Sequence, residues 1–428
     1  MKMVYKMILV FSVVALLAGF ECIINCSCNL MAYPVPKRTL MLDNTKVEEP
    51  KELTLLVYMA ADNDLESYAI RNLKAMERAD FSRMNVLVLF DRSESYDETN
   101  ENWTDTRLFE ITHDNSNGSS IVSKRINCPP LGLSDNTETE LDMGNYTVLK
   151  TFIEFAKSSY TANSYALIMW GHGTGWRFSS CSSRAVAIDD KSHSYMCVQE
   201  LGLALKDESL SVIGFDTCFG SAFENLYELK DCTDYIVASP GLTPAAGWDY
   251  KTLLQELSNT SFSAQEIAAI MEYASAQNNI ITKASELQDL MLAIEDFSKA
   301  LAQTITDEQS RRSVLDLLIN AKSYCYTQYP SDLFIDVFSM AQVFSNSANY
   351  QLQACAKILA QKTSNIQTGL YLIPKTGEGV LATAHSFDYI KNDANQTQCA
   401  FIKNSSWWVP TKNGNSGSLL DKLFYWNF

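Results

Sequence analysis

Short apolar runs alternate with helical stretches between Leu53 and Tyr250, and this alternation constrains the fold more than any other feature of the chain. The runs that predict strands are Leu53–Met59, Asn85–Phe90, Tyr165–Trp170, Leu210–Phe215 and Tyr235–Ala238. Between them lie stretches that predict helices, at Leu65–Arg78, Tyr146–Ser158, Val198–Lys206 and Ala222–Leu229. Continuous apolar runs are typical of strands covered on both faces, and strand–helix alternation favours parallel pairing through right-handed crossovers. The pattern predicts an α/β fold, a three-layer αβα sandwich over residues 52–250 with a mainly parallel central sheet.

The composition changes after Tyr250. Ser263–Leu301 and Glu308–Tyr324 are dominated by Ala, Leu, Gln, Glu and Ile, which favour helices, and Gly369–Pro374 predicts a late strand. We therefore expect residues 251–428 to form a helix-rich C-terminal portion packed on the core. Two polar stretches, Asp91–Asp105 and Asn115–Thr139, predict surface loops.

The N-terminus is typical of an export signal. Lys2 and Lys6 precede an apolar run of fourteen residues, Met7–Phe20, which is short for a membrane span but suits a signal peptide. We assign residues 1–28 to this signal and 29–51 to a linker. Cys28 is a candidate for a lipid anchor, although the usual Leu-x-Gly/Ala-Cys pattern is not matched, so lipidation is left open. Export predicts a periplasmic protein, an outer-membrane lipoprotein or a secreted protein.

Charge and cysteine spacing exclude other classes of function. The net charge of −16 argues against nucleic-acid binding, which requires a basic face. An acidic surface would attract cationic substrates, or would simply keep the protein soluble. The eight cysteines from Cys128 onward contain no CxxC pair or His/Cys cluster, so no metal site is assigned.

Two strand ends carry residues suited to catalysis. His172 lies two residues beyond the run that ends at Trp170, between glycines, and Cys218 lies three beyond Phe215. Because parallel strands deliver their carboxyl ends to one edge, the two side chains should meet there. A thiol and an imidazole together suit nucleophilic acyl transfer, and the N–H of Gly173 is a candidate oxyanion donor.

Each residue also has a simpler interpretation. A lone cysteine after a strand is usually a small buried hydrophobe, and a histidine among glycines can cap a loop or line a phosphate-binding bend. The segment GHGTG nevertheless lacks the Gly-Lys-Ser/Thr ending of a Walker loop. The other histidines, His113, His193 and His385, have no comparable position after a strand. The joint pattern therefore favours catalysis.

The order and spacing of the two motifs support a family resemblance. The histidine precedes the cysteine by 46 residues, close to the spacing in caspases. The segments LLVYMAADNDLE, LIMWGHGTGW, GFDTCFGSAFE and GWDY resemble the clostripain family, which groups with caspases, legumains and gingipains. The resemblance implies a caspase-like fold and a cysteine endopeptidase with a His172/Cys218 dyad. It implies no cofactor for the chemistry and no obligatory third catalytic residue.

The resemblance further implies protein or peptide substrates with Arg or Lys before the scissile bond. Asp216 occupies the matching position, where a carboxylate can pair with a guanidinium. The alternative for Asp216 is an N-cap or an Asx-turn. Asp249 is a second candidate for the pocket wall, whereas the run Asp62-Asn63-Asp64 is more typical of turn and helix-cap chemistry.

Two further properties are implied by the resemblance alone. Calcium dependence is one, with Asp189–Asp190 or the acidic loops as possible ligands. Self-cleavage between the histidine and cysteine motifs is the other, and we expect it between Arg184 and Ala185, with Lys191 as the alternative. The rival functions are the same fold with another specificity or transpeptidase activity, and a surface binding protein without catalysis.

Overall fold

A computed structural model describes residues 49–424, apart from 95, 117, 176–185, 276–278, 325–333, 365, 367, 372–399, 406 and 408–418. The proposed signal peptide and Cys28 lie outside these residues. Among the described helices, none is both long and apolar enough to cross a membrane.

An eight-stranded sheet forms the centre of the fold. Its strands are β1 (Lys51–Ala61), β2 (Met84–Arg92), β3 (Thr106–Glu110), β4 (Lys124–Arg125), β5 (Ala162–Trp170), β8 (Leu210–Asp216), β9 (Thr233–Ala238) and β10 (Ile280–Lys283). A separate hairpin consists of β6 (Val186–Asp189) and β7 (Ser194–Met196). The order across the sheet is β4-β3-β2-β1-β5-β8-β9-β10. The five strands from β2 to β9 are parallel, and antiparallel strands lie at both edges. The predicted mainly parallel sheet is confirmed.

Both faces of this sheet are buried, which explains the continuous apolar runs. Leu55 and Val57 of β1 belong to one core, whereas Leu56 and Tyr58 belong to the other. The first core is covered by α1 (Glu66–Glu77), α5 (Tyr250–Leu257) and α6 (Ala264–Ala274). The second is covered by α2 (Tyr146–Ser159), α3 (Val198–Leu205), α4 (Phe223–Glu228) and α7 (Leu287–Thr304). These layers are the αβα sandwich that the alternation predicts.

The C-terminal part is mostly helical and extends the second core. It contains α8 (Glu308–Ile319), β11 (Ser323–Tyr324), β12 (Phe334–Asp336), α9 (Val337–Phe344), α10 (Tyr350–Lys362), β13 (Gly369–Tyr371), α11 (Ala400–Asn404) and α12 (Leu419–Phe424). Phe334 stacks on Phe219 with ring centroids 5.3 Å apart, and the Thr368 hydroxyl donates to the Ser221 carbonyl oxygen at 2.7 Å. These contacts place C-terminal residues directly behind the segment that follows Cys218.

One expectation from the sequence needs correction. The stretch Asp91–Asp105 does not begin as a surface loop, because Asp91 and Arg92 end β2 and are fully buried. The guanidinium of Arg92 pairs with Glu66 at 2.5 Å, and this ion pair compensates the buried charge. From composition alone, an arginine is expected to be exposed to solvent. The stretch Ser263–Leu301 is mostly helical, as expected, and includes the short strand β10, which extends the sheet past Tyr250. Short edge strands such as β10 carry little apolar periodicity and are hard to detect from sequence.

Candidate active site

His172 lies at the carboxyl end of β5, two residues past Trp170. Its Nε2 is 2.6 Å from an Oδ1 oxygen of Asp64, a residue in the turn between β1 and α1. The two side chains are 38% and 66% exposed, so this pair is accessible to solvent. The ring of His172 is therefore oriented by a residue that follows the neighbouring strand β1.

Cys218 lies two residues past the end of β8, the strand beside β5. The backbone N–H of Thr243 donates to its Sγ at 3.3 Å. Burial raises the pKa of the Cys218 thiol and the charge of Asp216 adds to this effect, while the Thr243 N–H opposes it. Without substrate, this cysteine is held as a thiol, so a base is needed to generate the thiolate.

Gly173 joins the histidine loop to the cysteine loop. A Cβ added at Gly173 would lie 2.4 Å from the carbonyl oxygen of Cys218 and 2.8 Å from the Cβ of Thr217. Only glycine fits this approach, so its small size brings the two loops together. The sequence suggested a different role for Gly173, that of an oxyanion donor through its N–H, and this role stays a prediction.

A cavity of about 410 Å³ opens between these loops. His172, from the end of β5, lines it together with Asp216 and Cys218, from the end of β8. The remaining lining residues are Asp64, Leu65, Trp170, Gly171, Thr217, Leu242, Thr243, Pro244, Ala245 and Gly247. The structure therefore brings together three of the residues that the sequence singled out.

Asp216 is the buried acidic group of this cavity, with 4% of its surface exposed. Its Oδ2 accepts hydrogen bonds from the Trp248 N–H at 3.1 Å and the Tyr250 hydroxyl at 3.0 Å. Burial raises the pKa of this carboxyl to about 7, and the two donors only partly oppose the shift. Gly247, with φ of +69°, admits this arrangement because a Cβ there would lie 2.6 Å from Oδ2. Asp216 is not a helix cap, since Ala222 holds that position in α4.

Asp249 has a different position from the one that the sequence suggested. Its side chain caps α5 by accepting from the Thr252 N–H at 3.1 Å and the Thr252 hydroxyl at 2.7 Å. It lines a neighbouring depression, not the cavity of His172 and Cys218. Cap chemistry accounts for this carboxylate, and Asp216 is left as the acidic group of the pocket wall beside Cys218.

The proposed self-cleavage residues are only partly described. Arg184 and Ala185 lie outside the described residues. Lys191 lies in the turn between β6 and β7, where its Nζ is 2.8 Å from Glu94 and 3.1 Å from Glu140. Lys191 is therefore held in two ion pairs.

The run Asp62-Asn63-Asp64 divides into three roles. Asn63 performs the predicted turn chemistry, because its Oδ1 accepts from the Leu65 N–H at 3.0 Å and its Nδ2 donates to the carbonyl oxygens of Ala60 and Ile188. Asp64 contacts His172, a role that sequence reasoning missed. The position of this acidic run at a strand end, on the same edge as the histidine, was the available signal.

Asp62 belongs to a group of four carboxylates that we call the carboxylate cluster: Asp62, Asp91, Glu140 and Asp189. Each offers one oxygen, and these oxygens all lie within 4.8 Å of one another. Burial raises the pKa of Asp62 and Glu140, and raises that of Asp91 well above its ordinary value. Carboxylate oxygens are the ligands that hard divalent cations such as Ca²⁺ prefer. Of the pair Asp189–Asp190 suggested by the sequence, only Asp189 belongs to this cluster.

A parallel α/β sheet with a cysteine and a histidine at adjacent strand ends is typical of an α/β enzyme that acts through a cysteine nucleophile. The model of the clostripain family, Peptidase C11, matches residues 57–406, most of the chain. The chain therefore belongs to the clostripain family of cysteine peptidases, as the sequence motifs predicted. It is 29% identical to clostripain of Hathewaya histolytica over 227 residues, a match that spans 48% of this chain and 42% of that protein.

Solved structures support the same fold. An inactive zymogen C11 protease from Parabacteroides distasonis superposes with a TM-score of 0.56 at 18% identity, covering 83% of this chain and 99% of that one. A secreted C11 cysteine protease from Bacteroides thetaiotaomicron, solved with an irreversible peptide inhibitor, gives a TM-score of 0.54 at 19% identity, covering 82% and 98%. At these identities the likeness concerns the fold.

Proposed function

We propose that this chain is an exported cysteine endopeptidase that cleaves after Arg or Lys, with Cys218 as nucleophile and His172 as its base. The observation that carries the proposal is one cavity lined by a thiol, an imidazole and the buried carboxylate of Asp216. Family membership supports the reaction class, and the peptide inhibitor bound by the Bacteroides thetaiotaomicron relative supports peptide substrates.

The proposed reaction begins with transfer of the Cys218 thiol proton to His172. The sulfur then attacks the scissile carbonyl carbon, and the negative oxygen is stabilised by backbone N–H groups, for which Gly173 is the proposed donor. His172 returns its proton to the leaving amine, so the C–N bond breaks and a thioester remains. Water, deprotonated by His172, hydrolyses this thioester and restores the Cys218 thiol.

Asp64 acts in this scheme as a positioning residue. As a carboxylate, Asp64 accepts a hydrogen bond from Nε2 of His172, which must therefore carry the proton. This leaves Nδ1 of His172 as the basic nitrogen. The imidazolium formed during attack is stabilised by the same contact. The dyad that the resemblance implied is thereby supported by a third side chain, which orients the base without contacting the reacting atoms.

Asp216 supplies the proposed preference for a basic side chain. Its two hydrogen bonds come from neutral donors, a backbone N–H and a phenol, and among the described residues no basic side chain pairs with it. A guanidinium or ammonium entering the cavity would provide that charge in a desolvated setting. Substrate binding would also remove the electrostatic effect by which Asp216 raises the pKa of Cys218.

Labelling with an arginyl electrophile tests the whole proposal. We expect a peptide chloromethyl ketone with Arg at its reactive end to modify Cys218 stoichiometrically, as seen by mass spectrometry, and a Cys218→Ala protein to remain unmodified. A matched norleucine reagent, apolar at the same position, is the specificity control. Preferential labelling by norleucine would favour the same fold with another specificity. An unreactive Cys218 would favour a binding protein without catalysis.

We infer that activation involves self-cleavage at Arg184–Ala185. The relative described as an inactive zymogen supports an activation step, and the ion pairs of Lys191 argue against cleavage there. N-terminal sequencing should place the new end at Ala185 in the parent and in Lys191→Ala. Arg184→Ala should remain a single chain. A fully active, uncut parent would contradict the inference.

Export is part of the same proposal. The relatives from Bacteroides thetaiotaomicron are described as secreted, which agrees with the predicted signal over residues 1–28. The lipid anchor at Cys28 stays a prediction, and mass spectrometry of the mature N-terminus would test it.

A further inference from the structure

The turn before α5 contains a residue that orients the acidic wall of the cavity. We propose that Tyr250 positions Asp216 so that only one carboxylate oxygen, Oδ1, meets the basic side chain of the substrate. Through a single oxygen, the pocket would accept a lysine about as well as an arginine. This inference rests on the proposed function, because it takes Asp216 as the group that binds the basic side chain.

The two oxygens of Asp216 have different surroundings. The Tyr250 hydroxyl at 3.0 Å and the Trp248 N–H at 3.1 Å both donate to Oδ2. The backbone of Gly247 also lies close to this atom, since a Cβ there would be 2.6 Å from Oδ2. Among the described residues, no group donates to Oδ1, and this oxygen is not sealed from solvent. Because Asp216 lines the cavity, Oδ1 is the oxygen that a substrate can reach.

Tyr250 is committed to this carboxylate. Its side chain is fully buried at the first residue of α5, and among the described residues its hydroxyl donates only to Asp216. Burial and the charge of Asp216 raise the pKa of Tyr250 well above its ordinary value, so the hydroxyl keeps its proton and remains a donor. A Phe at this position would keep the ring packed and remove only the hydrogen bond.

The turn Gly247–Tyr250 is fixed on both sides of the pocket. The ring of Trp248 packs against β8, where a Cβ at Gly214 would lie 2.7 Å from its Cη2 atom. Asp249 caps the first turn of α5. Asp249 therefore acts one step away from the cavity, by holding the helix start at which Tyr250 lies.

The number of available oxygens distinguishes the two basic side chains. A guanidinium differs from an ammonium in that two parallel N–H groups can bond to both oxygens of a carboxylate. At Asp216 this arrangement would have to displace a donor from Oδ2, which already accepts two hydrogen bonds. An ammonium is a compact charge that needs only one oxygen. The cavity therefore removes the usual geometric advantage of arginine.

Peptides that differ only in the residue before the scissile bond test this role. In the parent we expect the ratio of kcat/KM for the arginine peptide to that for the lysine peptide to be no more than about threefold. In Tyr250→Phe, Oδ2 loses one donor and becomes available to a guanidinium, so this ratio should rise at least about fivefold.

Tyr58→Phe is the matched control. Tyr58 is equally buried, and its hydroxyl donates to the Met143 carbonyl oxygen at 2.9 Å, away from the residues that line the cavity. Its ratio should equal that of the parent. A general defect in folding would lower cleavage of both peptides by the same factor, so the ratio separates a positioning role from a structural one.

Two results would overturn the proposal: a larger preference for arginine in the parent, or an unchanged ratio in a folded Tyr250→Phe protein. If Tyr250→Phe does not fold, the parental ratio alone decides, because pairing through both oxygens predicts a clear preference for arginine. Failure of the proposed function has a different signature. A norleucine peptide would then be cleaved by the parent as well as the two basic peptides.

Discussion

Two acidic regions lie along the same edge of the central sheet and differ in how their charge is compensated. Asp216 lies at the end of β8. It is a single buried carboxylate that accepts hydrogen bonds from two neutral donors and lines the cavity. The carboxylate cluster, at β1 and β2, gathers four carboxylates around one buried orphan oxygen. His172 lies between the two regions and contacts Asp64.

The difference shows how the number of charges selects a partner. One desolvated carboxylate is compensated by one monovalent organic cation, such as an arginine side chain. Four carboxylates whose oxygens lie within 4.8 Å of one another repel one another, which favours their protonated forms. Burial raises pKa values in both regions, so the number and geometry of the neighbouring charged groups, not burial alone, distinguish the two regions.

The substitution with the largest expected effect removes the nucleophile and leaves both acidic regions unchanged. Cys218→Ala should lower kcat/KM for an arginyl peptide by at least about 10⁴-fold, because losing a nucleophile removes the covalent route. His172→Ala should be nearly as damaging. Steady-state kinetics with a fluorogenic peptide measures the loss, and circular dichroism checks the fold. Residual activity of a few per cent in Cys218→Ala would refute the assignment.

Asp216→Asn should separate the two regions by specificity. Losing a desolvated charge pair should cost about 2–5 kcal/mol in transition-state binding of Arg and Lys peptides. Kinetics on matched arginine and norleucine peptides gives the measurement. Equal cleavage of the arginine peptide by variant and parent would place the selecting carboxylate elsewhere.

The pH dependence of stability should sharpen the same comparison. The pKa of Asp216 is about 7 in the fold, against an ordinary value of 3.8, so the folded state favours its protonated form. Stability is therefore lost as pH rises between these values, by ~4 kcal/mol for this group. The Asp216→Asn variant does not lose this stability. Its free energy of unfolding relative to that of the parent should therefore increase between pH 4 and pH 8.

Urea unfolding at both pH values, in a Cys218→Ala background, measures this difference. His113→Gln serves as a control substitution, because the His113 ring contacts Ala79 and Asn115 and does not line the cavity of Asp216. A gap between Asp216→Asn and its parent that stays constant with pH would show that Asp216 is ionised in the fold without penalty.

The smallest expected effect concerns the carboxylate between the two regions. Asp64→Asn keeps a hydrogen-bond acceptor for His172 but removes the charge, so kcat should fall by about tenfold with KM little changed. Asp64→Ala should be more damaging than Asp64→Asn, and equal effects of both would indicate a structural role.

Much of this architecture follows from patterns along the chain. Strands such as Leu53–Met59 were detectable because both faces are buried, which leaves an unbroken apolar run. The placement of His172 and Cys218 at one edge followed from parallel pairing, since β5 and β8 end side by side. The edge strands β3, β4 and β10 were missed, because short antiparallel strands have weak periodicity. The burial of Arg92 was missed because its partner, Glu66, comes from a different element.

By itself the sequence determined the layered α/β fold, the strand-end histidine and cysteine, and membership of the clostripain family. These properties depend on local apolar pattern and on short motifs, which are readable along one chain. Only the tertiary structure decided that Asp216 and not Asp249 lines the cavity, that Asp64 holds His172, and that four distant carboxylates meet. Such contacts join residues that are separated by up to 127 positions, as in Asp62 and Asp189. Asp62 and Asp91 meet because the parallel strands β1 and β2 end side by side, whereas Asp189 reaches them from the separate β6–β7 hairpin.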